Sequence, residues 1–312
     1  MRVTNTTYPA TGAARDRWIE ALRPVRTALD AQKPHAFFVE EEYSANGQVE
    51  PIATVFLTNR ECPWRCAMCD LWQNTLLETV PLGAIPAQID FALKQMPPAQ
   101  TVKLYNSGSF FDPRAIPQED YKPIAECVNQ FKRVIVECHP ALVGNRCVAF
   151  RNLLTGKLEV AMGLETAHPE ILEKLNKRMT LEQFAAAADF LRRNDIDLRV
   201  FILIQPPFMP PEESLYWAKQ SLNFAFDCGA AVASLIPTRG GNGAMEALAE
   251  NNEFSPPPLE TIEAAMQYGL SLQRGRVFVD LWDLKASCSQ EINIALLQRM
   301  NLEQRVCEAN AT

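Results

Sequence analysis

Residues 52–70 have the sequence IATVFLTNRECPWRCAMCD. The first six of them form an uncharged, mostly apolar run, which is typical of a strand buried on both faces of a parallel sheet. Three cysteines then follow within eight residues, Cys62, Cys66 and Cys69, at the spacing C-x3-C-x2-C. Thiolates bind iron–sulfur clusters and zinc, so this loop indicates a metal centre at the end of a buried strand.

The three cysteines are compatible with three kinds of site. Three thiolates can bind three irons of a 4Fe-4S cluster and leave the fourth iron open to a substrate or cofactor. A structural zinc is an alternative, although zinc usually takes four protein ligands and the sequence has no second closely spaced cysteine pair. Ordinary buried thiols are the third interpretation. We expect the cluster, because three thiols seldom collect on one short loop by chance.

Apolar runs and amphipathic segments alternate along the rest of the chain. Strands are predicted at residues 52–57, 101–105, 134–138, 158–163, 198–204 and 231–236, with helices between them. This alternation is typical of an α/β protein with right-handed crossovers. We therefore expect six β-α units in a parallel sheet that curls into a partial (β/α)6 barrel. A last apolar run at residues 277–284 predicts a further strand at the open edge.

The chain before residue 51 has a different pattern. Residues 15–31 predict an amphipathic helix interrupted near Pro24, and Asn46-Gly47 between two apolar runs is a strong signal for a β-hairpin. We interpret residues 1–50 as an N-terminal helix–hairpin extension packed on the barrel. Residues 51–284 then form the core domain, and residues 285–312 form a C-terminal tail.

The overall composition limits the class of function. The chain has 312 residues, is 47% hydrophobic and carries a net charge of −7, which suits a globular protein and disfavours a broad nucleic-acid surface. No apolar run is long enough for a transmembrane helix and no secretory leader is visible, so we expect no membrane association. The odd number of cysteines, nine, predicts a reducing, cytoplasmic location rather than a disulfide framework.

Polar residues at the carboxyl ends of parallel strands are candidates for one shared site, because those ends lie at the same edge of a sheet. The second predicted strand is followed by Ser107, Gly108 and Ser109, small residues that let the backbone approach a ligand closely. The third is followed by Glu137, a candidate ligand-binding carboxylate, and His139, a candidate proton donor. A plain turn, a solvated glutamate and a structural histidine are the alternative explanations.

Later strands add further candidates. Glu165 ends the fourth strand. Arg199 lies inside the apolar fifth strand, where an unpaired guanidinium is costly to bury, so it needs an anionic partner. That partner is either a cofactor carboxylate or an internal carboxylate, with Glu165 and Glu137 as candidates. Arg239 and Gly240 begin a glycine-rich loop after the sixth strand, which suits anion capture or a flexible lid.

These motifs together resemble the radical S-adenosylmethionine superfamily. The cysteine spacing is its cluster-loop signature, and Gly163-Leu164-Glu165-Thr166 and residues 102–117 are similar to its archaeosine-synthase radical subunit and, more loosely, its elongator-type branch. The resemblance implies a partial barrel of the radical SAM type, one 4Fe-4S cluster on the three cysteines, and S-adenosyl-L-methionine on the open iron. It further implies one-electron cleavage of that cofactor to methionine and a 5'-deoxyadenosyl radical.

The resemblance also implies roles for residues outside the cysteines. Met68 stands where the family usually has an aromatic residue over adenine, and its thioether can still contact a ring. Catalytic residues are not identified, and His139 and Cys288 are the candidates. The residues expected to bind the cofactor are Met68, Ser107, Gly108, Ser109, Glu137, Glu165, Arg199, Arg239 and Gly240.

The sequence indicates less about the reaction than about the cofactor. We favour a stand-alone radical enzyme that acts on a small or medium, anionic substrate and is reduced by a one-electron donor such as flavodoxin or ferredoxin. A radical SAM enzyme that modifies tRNA is the second hypothesis, disfavoured by the acidic composition and the lack of a visible RNA-binding domain. A non-catalytic iron–sulfur or zinc-binding protein is the third.

Overall fold

The computed structural model describes residues 7–282, 284 and 291–306. Its centre is one sheet of eight strands, in which β1 pairs antiparallel with β2 and each later strand pairs parallel with the next. The strands are β1 Ala36–Tyr43, β2 Val49–Phe56, β3 Thr101–Tyr105, β4 Arg133–Glu137, β5 Lys157–Glu165, β6 Asp197–Ile204, β7 Val232–Pro237 and β8 Arg276–Val279.

Helices connect the strands and pack against the sheet. Helix α6 begins with a capping box between Thr180 and Gln183, as its sequence predicts. Within the described part of the chain, no helix combines the length and apolar character needed to cross a membrane. The helices are α1 Gly12–Leu22, α2 Ala84–Leu93, α3 Tyr121–Val128, α4 Asn145–Arg151, α5 Pro169–Lys174, α6 Leu181–Arg193, α7 Ser214–Asp227, α8 Ala244–Glu250, α9 Leu259–Ser271 and α10 Glu291–Glu303.

The sheet is curled into a half-barrel. Tyr105 ends β3 and Phe201 lies in β6, and their ring centroids are 6.2 Å apart although two strands separate β3 from β6. Side chains on strands so far apart in a sheet meet only when the sheet curves around them. The opposite, convex face carries apolar residues such as Val102, Val160 and Val200, which belong to the main core with the helices. This arrangement confirms the predicted α/β partial barrel.

The N-terminal hairpin extends this sheet. Strand β1 pairs with β2 along its whole length, and Asn46-Gly47 lie in the connecting turn, where Gly47 has a φ of +81°. Helix α1 ends at Leu22 and is shorter than the predicted helix of residues 15–31. Pro24 explains the early end, because the residue before a proline is disfavoured in the helical region.

Two further elements differ from the sequence expectation. The edge strand predicted at residues 277–284 is present as β8 but is limited to Arg276–Val279. Helix α8 was not predicted. It begins after Gly243, which has a φ of +86° and lies so close to helix α1 that an added Cβ would be 2.0 Å from the Leu22 carbonyl oxygen. This contact between distant segments has no local signal in the sequence.

Buried charges fill the half-barrel at the amino ends of its strands, and we call this group the amino-end network. Lys103 Nζ donates to Glu42 Oε2 at 2.6 Å, and Arg199 donates to Glu42 at 2.5 Å and to Glu159 at 2.7 Å. Arg133 donates to Glu159 at 3.0 Å. The network joins β1 to β3, β4, β5 and β6 through side chains, so it ties the hairpin across the barrel.

Candidate active site

The three cysteines of the loop after β2 lie close together at the carboxyl end of the half-barrel. All three are free thiols, and burial raises the pKa of each to about 12. The thiols also lie within electrostatic range of one another. A negative charge on Cys69 raises the pKa of Cys62, one on Cys62 raises that of Cys66, and one on Cys66 raises that of Cys69. Among the described residues, no three His, Cys, Asp or Glu side chains are placed to hold a single metal ion.

Hydrogen bonds between the main chain of the cysteine loop and two other loops hold it in place. Ala67 N donates to the Leu175 carbonyl at 2.9 Å, and Asn176 Nδ2 donates to the Arg65 carbonyl at 2.7 Å. Asn242 Nδ2, from the loop after β7, donates to the carbonyls of Ala67 at 2.8 Å and Cys69 at 3.1 Å. The position of the thiols is therefore set by segments that follow β5 and β7.

Glu61, directly before the first cysteine, connects the loop to the N-terminal segment. Its carboxylate accepts from Arg23 at 2.8 Å and also from Arg26, and Arg65 lies 3.1 Å from it. Arg65 in turn contacts Glu20 of helix α1 at 2.6 Å. The N-terminal segment thus covers the outer side of the cysteine loop and restrains it through paired charges.

The glycine-containing segment after β3 packs directly against this loop. An added Cβ on Gly108 would lie 3.3 Å from Cys62 Cβ, so the segment has little room for a larger residue. Asn106 N donates to Glu137 Oε2 at 2.8 Å, and Ser107 has a φ of +54°. Burial raises the pKa of Glu137 to about 7, and the N–H groups of Asn106, Ser107 and Gly108 oppose that rise. These N–H groups form a small anion-binding turn beside the thiols.

Glu165 forms a buried ion pair with Lys177. Lys177 Nζ donates to Glu165 Oε1 at 2.5 Å. Burial disfavours the charge on Lys177, but Glu165 and the thiol of Cys66 raise its pKa above the ordinary value. A side chain at Gly163 would displace this pair, since an added Cβ would lie 2.1 Å from Glu165 Oε1 and 2.6 Å from Lys177 Nζ. The ion pair places a cation next to the three sulfurs.

His139 has contacts at both ring nitrogens and on one ring face, and its role as a proton donor stays a prediction. Its ring stacks on Trp64 with centroids 3.7 Å apart. Nε2 donates to the Lys177 carbonyl at 3.0 Å, while Nδ1 accepts from Ala141 N at 3.1 Å. Burial lowers the pKa of His139 to about 3, so the ring stays neutral. Its backbone N–H donates to Ser109 Oγ at 2.8 Å, which places Ser109 beneath the site rather than open to it.

Arg199 lies far from the cysteine loop, near the amino end of β6. Its charge is paired with Glu42 and Glu159 in the amino-end network. The prediction that Arg199 binds the cofactor is therefore wrong, and neither Glu165 nor Glu137 is its internal partner. The error has a physical cause, because Glu42 comes from β1, which the sequence did not place inside the barrel.

Arg239 and Gly240 lie at the same end as the cysteines. Arg239 is 3.4 Å from Asp70, the residue after the third cysteine, and 3.7 Å from Asp280. Its charge is thus already shared between two carboxylates. Gly240 leaves space for Glu246, since an added Cβ would lie 2.5 Å from Glu246 Oε1. The loop after β7 therefore borders the site.

Met68 packs between two small apolar clusters at this end. It is half-buried and contacts groups that contain Phe208, Leu175 and Ala67. Its predicted contact with a cofactor ring stays a prediction.

The candidate Cys288 lies outside the described residues. Lys177 was not among the predicted site residues, because its pairing with Glu165 has no local signal in the sequence.

Comparison with known proteins gives relatives but no family model that matches the chain. The chain is 26% identical over 253 residues to an uncharacterized protein of Methanocaldococcus jannaschii, covering 76% of this chain and 69% of that protein. It is 26% identical over 229 residues to archaeosine synthase subunit beta of Methanosarcina acetivorans, covering 70% and 66%. A second archaeosine synthase subunit beta, from Thermococcus kodakarensis, is 26% identical over 162 residues, which are 50% of this chain and 50% of that protein.

Two solved structures share the fold. Methylornithine synthase superposes with a TM-score of 0.55 and 14% identity, covering 82% of this chain and 72% of that one. The archaeal Elp3 of Methanocaldococcus infernus superposes with a TM-score of 0.53 and 16% identity, covering 69% and 59%. At these identities the two superpositions show the fold, as the motifs predicted. The resemblance extends to the archaeosine-synthase branch, to which the motifs pointed.

Proposed function

We propose that the protein is a radical S-adenosylmethionine enzyme that binds one 4Fe-4S cluster through Cys62, Cys66 and Cys69. The observation that carries this proposal is the convergence of the three thiols with Gly108 and the Glu165–Lys177 pair at one end of a half-barrel. The parts come from loops after β2, β3 and β5, which is how active sites form in parallel β-α folds.

The donor set fits an iron–sulfur cluster. In a cuboidal cluster each thiolate binds a different iron, so three sulfurs need not surround one point as they would around a single zinc ion. Buried thiols with a pKa of about 12 stay protonated without a metal. Metal binding removes their protons, since a coordinated thiol is deprotonated. The site thus suits a ligand that supplies positive charge.

Cluster and S-adenosyl-L-methionine together supply a 5'-deoxyadenosyl radical on one-electron reduction. The residues of this chain bind and shield those groups. Lys177 offsets the negative charge of the thiolates, and the N–H groups of residues 106–108 hold Glu137 next to them. Glu137 and Glu165 are the candidate carboxylates for binding the amino or ribose groups of the cofactor. We propose a flavodoxin- or ferredoxin-like protein as the electron donor.

A substrate of small or medium size is the first candidate, and tRNA is the second. The 26% identity to archaeosine synthase subunit beta supports the tRNA hypothesis. The net charge of −7 counts against it, because phosphate contacts by Lys and Arg dominate nucleic-acid affinity. A gel-shift titration with bulk tRNA at moderate salt separates them. Salt-sensitive, sub-micromolar binding of tRNA would replace the small-substrate hypothesis.

Anaerobic reconstitution of the full chain with iron and sulfide tests the main proposal. We expect about four irons per chain with the broad visible absorption of a thiolate-held cluster. With S-adenosyl-L-methionine and a strong one-electron reductant, the sample should form 5'-deoxyadenosine. Cys66→Ala should lose both properties, whereas Cys228→Ala, a half-buried thiol at the end of α7, should keep them.

Two outcomes would contradict the proposal. Stoichiometric zinc without iron–sulfur absorption would show a structural metal site. A stable cluster that neither binds nor cleaves S-adenosyl-L-methionine would favour a non-catalytic iron–sulfur protein.

A further inference from the structure

Five aromatic side chains form a continuous line across the concave face of the half-barrel, and we call them the aromatic arc. Trp282, after β8, stacks on Phe38 of β1 with centroids 6.2 Å apart and planes 13° apart. Phe38 is 5.9 Å from Phe56 of β2, which is 6.0 Å from Tyr105 of β3. Tyr105 reaches Phe201 of β6 at 6.2 Å. The arc thus spans both edges of the sheet.

The arc is not packed like a core. Phe38, Phe56, Tyr105 and Phe201 are only partly buried, and Trp282 is 62% exposed. Large aromatic side chains inside a small closed barrel are normally covered by other side chains. Rings that remain accessible on the concave face therefore line a cleft open to a ligand.

The cleft lies directly beneath the cysteine end of the barrel. Phe56 is the last residue of β2, and Tyr105 is the last residue of β3, next to the turn at residues 106–108. Phe201 lies opposite Gly163 in the register of β5 and β6. Gly163 supports the Glu165–Lys177 pair, so the arc and the candidate active site share a boundary.

The amino-end network closes the cleft from below without offering a free cation. Lys103 and Arg199 are each paired with Glu42. The Arg199 guanidinium also lies 5.6 Å from the centre of the Phe278 ring. Positive charge at the bottom of the barrel is therefore occupied, and an anionic ligand gains little there.

The rim above the arc carries more carboxylates than cations. Lys177 is paired with Glu165, and Arg239 lies between Asp70 and Asp280. The described charged groups near the sulfurs and this rim include the carboxylates of Asp70, Asp112, Glu137, Glu165 and Asp280 and the cations of Lys177, Arg178 and Arg239.

We propose that the aromatic arc is the substrate-binding surface and that it takes a planar organic group that is uncharged or cationic. Stacking on aromatic rings stabilises planar groups, and ring faces also attract cations. A carboxylate or phosphate on the substrate would instead meet the acidic rim. This inference rests on the proposed radical function and replaces the expectation of an anionic substrate.

Two indole compounds of opposite charge test the proposal. Tryptamine and indole-3-acetate share one ring system, and their affinities for the reconstituted protein can be measured by saturation-transfer NMR titration. We expect tryptamine to bind at least about tenfold more tightly, which corresponds to about 1.4 kcal/mol. Phe201→Leu, which keeps the apolar volume but removes the ring, should weaken tryptamine binding severalfold. Tyr216→Ala, at an exposed aromatic on helix α7, should leave it unchanged.

Equal or tighter binding of indole-3-acetate would overturn the charge assignment. Undetectable binding of both compounds, or binding that Phe201→Leu does not change, would overturn the arc as a binding surface. Formation of 5'-deoxyadenosine in the same samples is scored separately. If the probes bind but no 5'-deoxyadenosine forms, the proposed radical function is wrong and the arc is still a binding surface. If 5'-deoxyadenosine forms but the probes do not bind, the radical function is supported and the arc is not a binding surface.

Discussion

The two ends of the half-barrel use buried charge in different ways. At the amino end, Lys103 and Arg199 share the carboxylate of Glu42, and all three side chains come from strands. At the carboxyl end, the groups near the sulfurs come from loops and from the last residues of strands, and Glu137 accepts from backbone N–H groups rather than from a cation. The amino end is held by ion pairs between side chains of different strands, whereas the carboxyl end leaves its three thiols for a ligand.

This difference predicts different responses to mutation. A network built on strand register holds the barrel closed, so its loss should appear first in stability. A site built from loops on a rigid sheet should lose iron or cofactor before it loses its fold. The same kind of substitution at the two ends should therefore give different readouts.

Replacement of Arg199 by Met should give the largest loss of stability. The change leaves Glu42 and Glu159 buried without their strongest partner, and orphaned buried charges cost about 3–5 kcal/mol. The urea midpoint at neutral pH measures this loss. Arg193→Met removes an exposed ion pair with Asp189 and should leave the midpoint nearly unchanged. An Arg199→Met protein as stable as the wild type, but unable to bind S-adenosyl-L-methionine, would restore Arg199 to the active site.

Acid should weaken the amino-end network in a defined direction. Burial alone would raise the pKa of Glu42, but Arg199 and Lys103 lower it below the ordinary value. Glu42 therefore stabilises the fold above the pKa of an unfolded glutamate, about 4.3, and this contribution is lost as the pH falls further. Urea midpoints measured from pH 7 to pH 3 should fall less steeply in Glu42→Gln. Parallel curves for the two proteins would contradict this role.

The sequence predicted the half-barrel well because its signals are local. The apolar run at residues 101–105 matches β3, and the cysteine loop follows β2 as its spacing suggested. The capping box at Thr180 is likewise encoded within four residues. Strand hydrophobicity, helix caps and motif spacing all act over short distances, so they are visible before the chain is folded.

The partners of buried polar groups could not be predicted in the same way. Glu42 and Arg199 are 157 residues apart in the chain. His139 is fixed by the carbonyl of Lys177, which no side-chain pattern reveals. The aromatic arc had a weak signal, since Phe56 and Tyr105 end strands on the concave face. That face becomes known only when the pairing order and curl of the sheet are known.

Gly163→Ala should affect the carboxyl end more than the fold. The added methyl group would collide with the Glu165–Lys177 pair, and overpacking of this kind costs about 1–3 kcal/mol. We expect weaker binding of S-adenosyl-L-methionine by the reconstituted protein in equilibrium dialysis. Gly144→Ala is the matched control, because nothing lies within 4 Å of its added Cβ. Equal binding of S-adenosyl-L-methionine by both variants would show that the Glu165–Lys177 pair does not contribute to cofactor binding.

Asn242→Ala should give the smallest change in stability but a selective change in iron retention. Its side chain donates to the carbonyls of Ala67 and Cys69 and accepts from Met245 N at 2.8 Å, so it joins the cysteine loop to the first turn of α8. Loss of these bonds should destabilise the fold by about 1–2 kcal/mol.

The loosened loop should release iron to a chelator severalfold faster, because two of its carbonyls lose their anchor. Asn251→Ala removes a bond to the Ala247 carbonyl at the far end of the same helix and serves as the control. If Asn251→Ala releases iron as fast as Asn242→Ala, the effect belongs to the stability of α8 itself. If only Asn242→Ala does so, the carboxyl end depends on loop-to-loop hydrogen bonds that the strand-based amino end does not need.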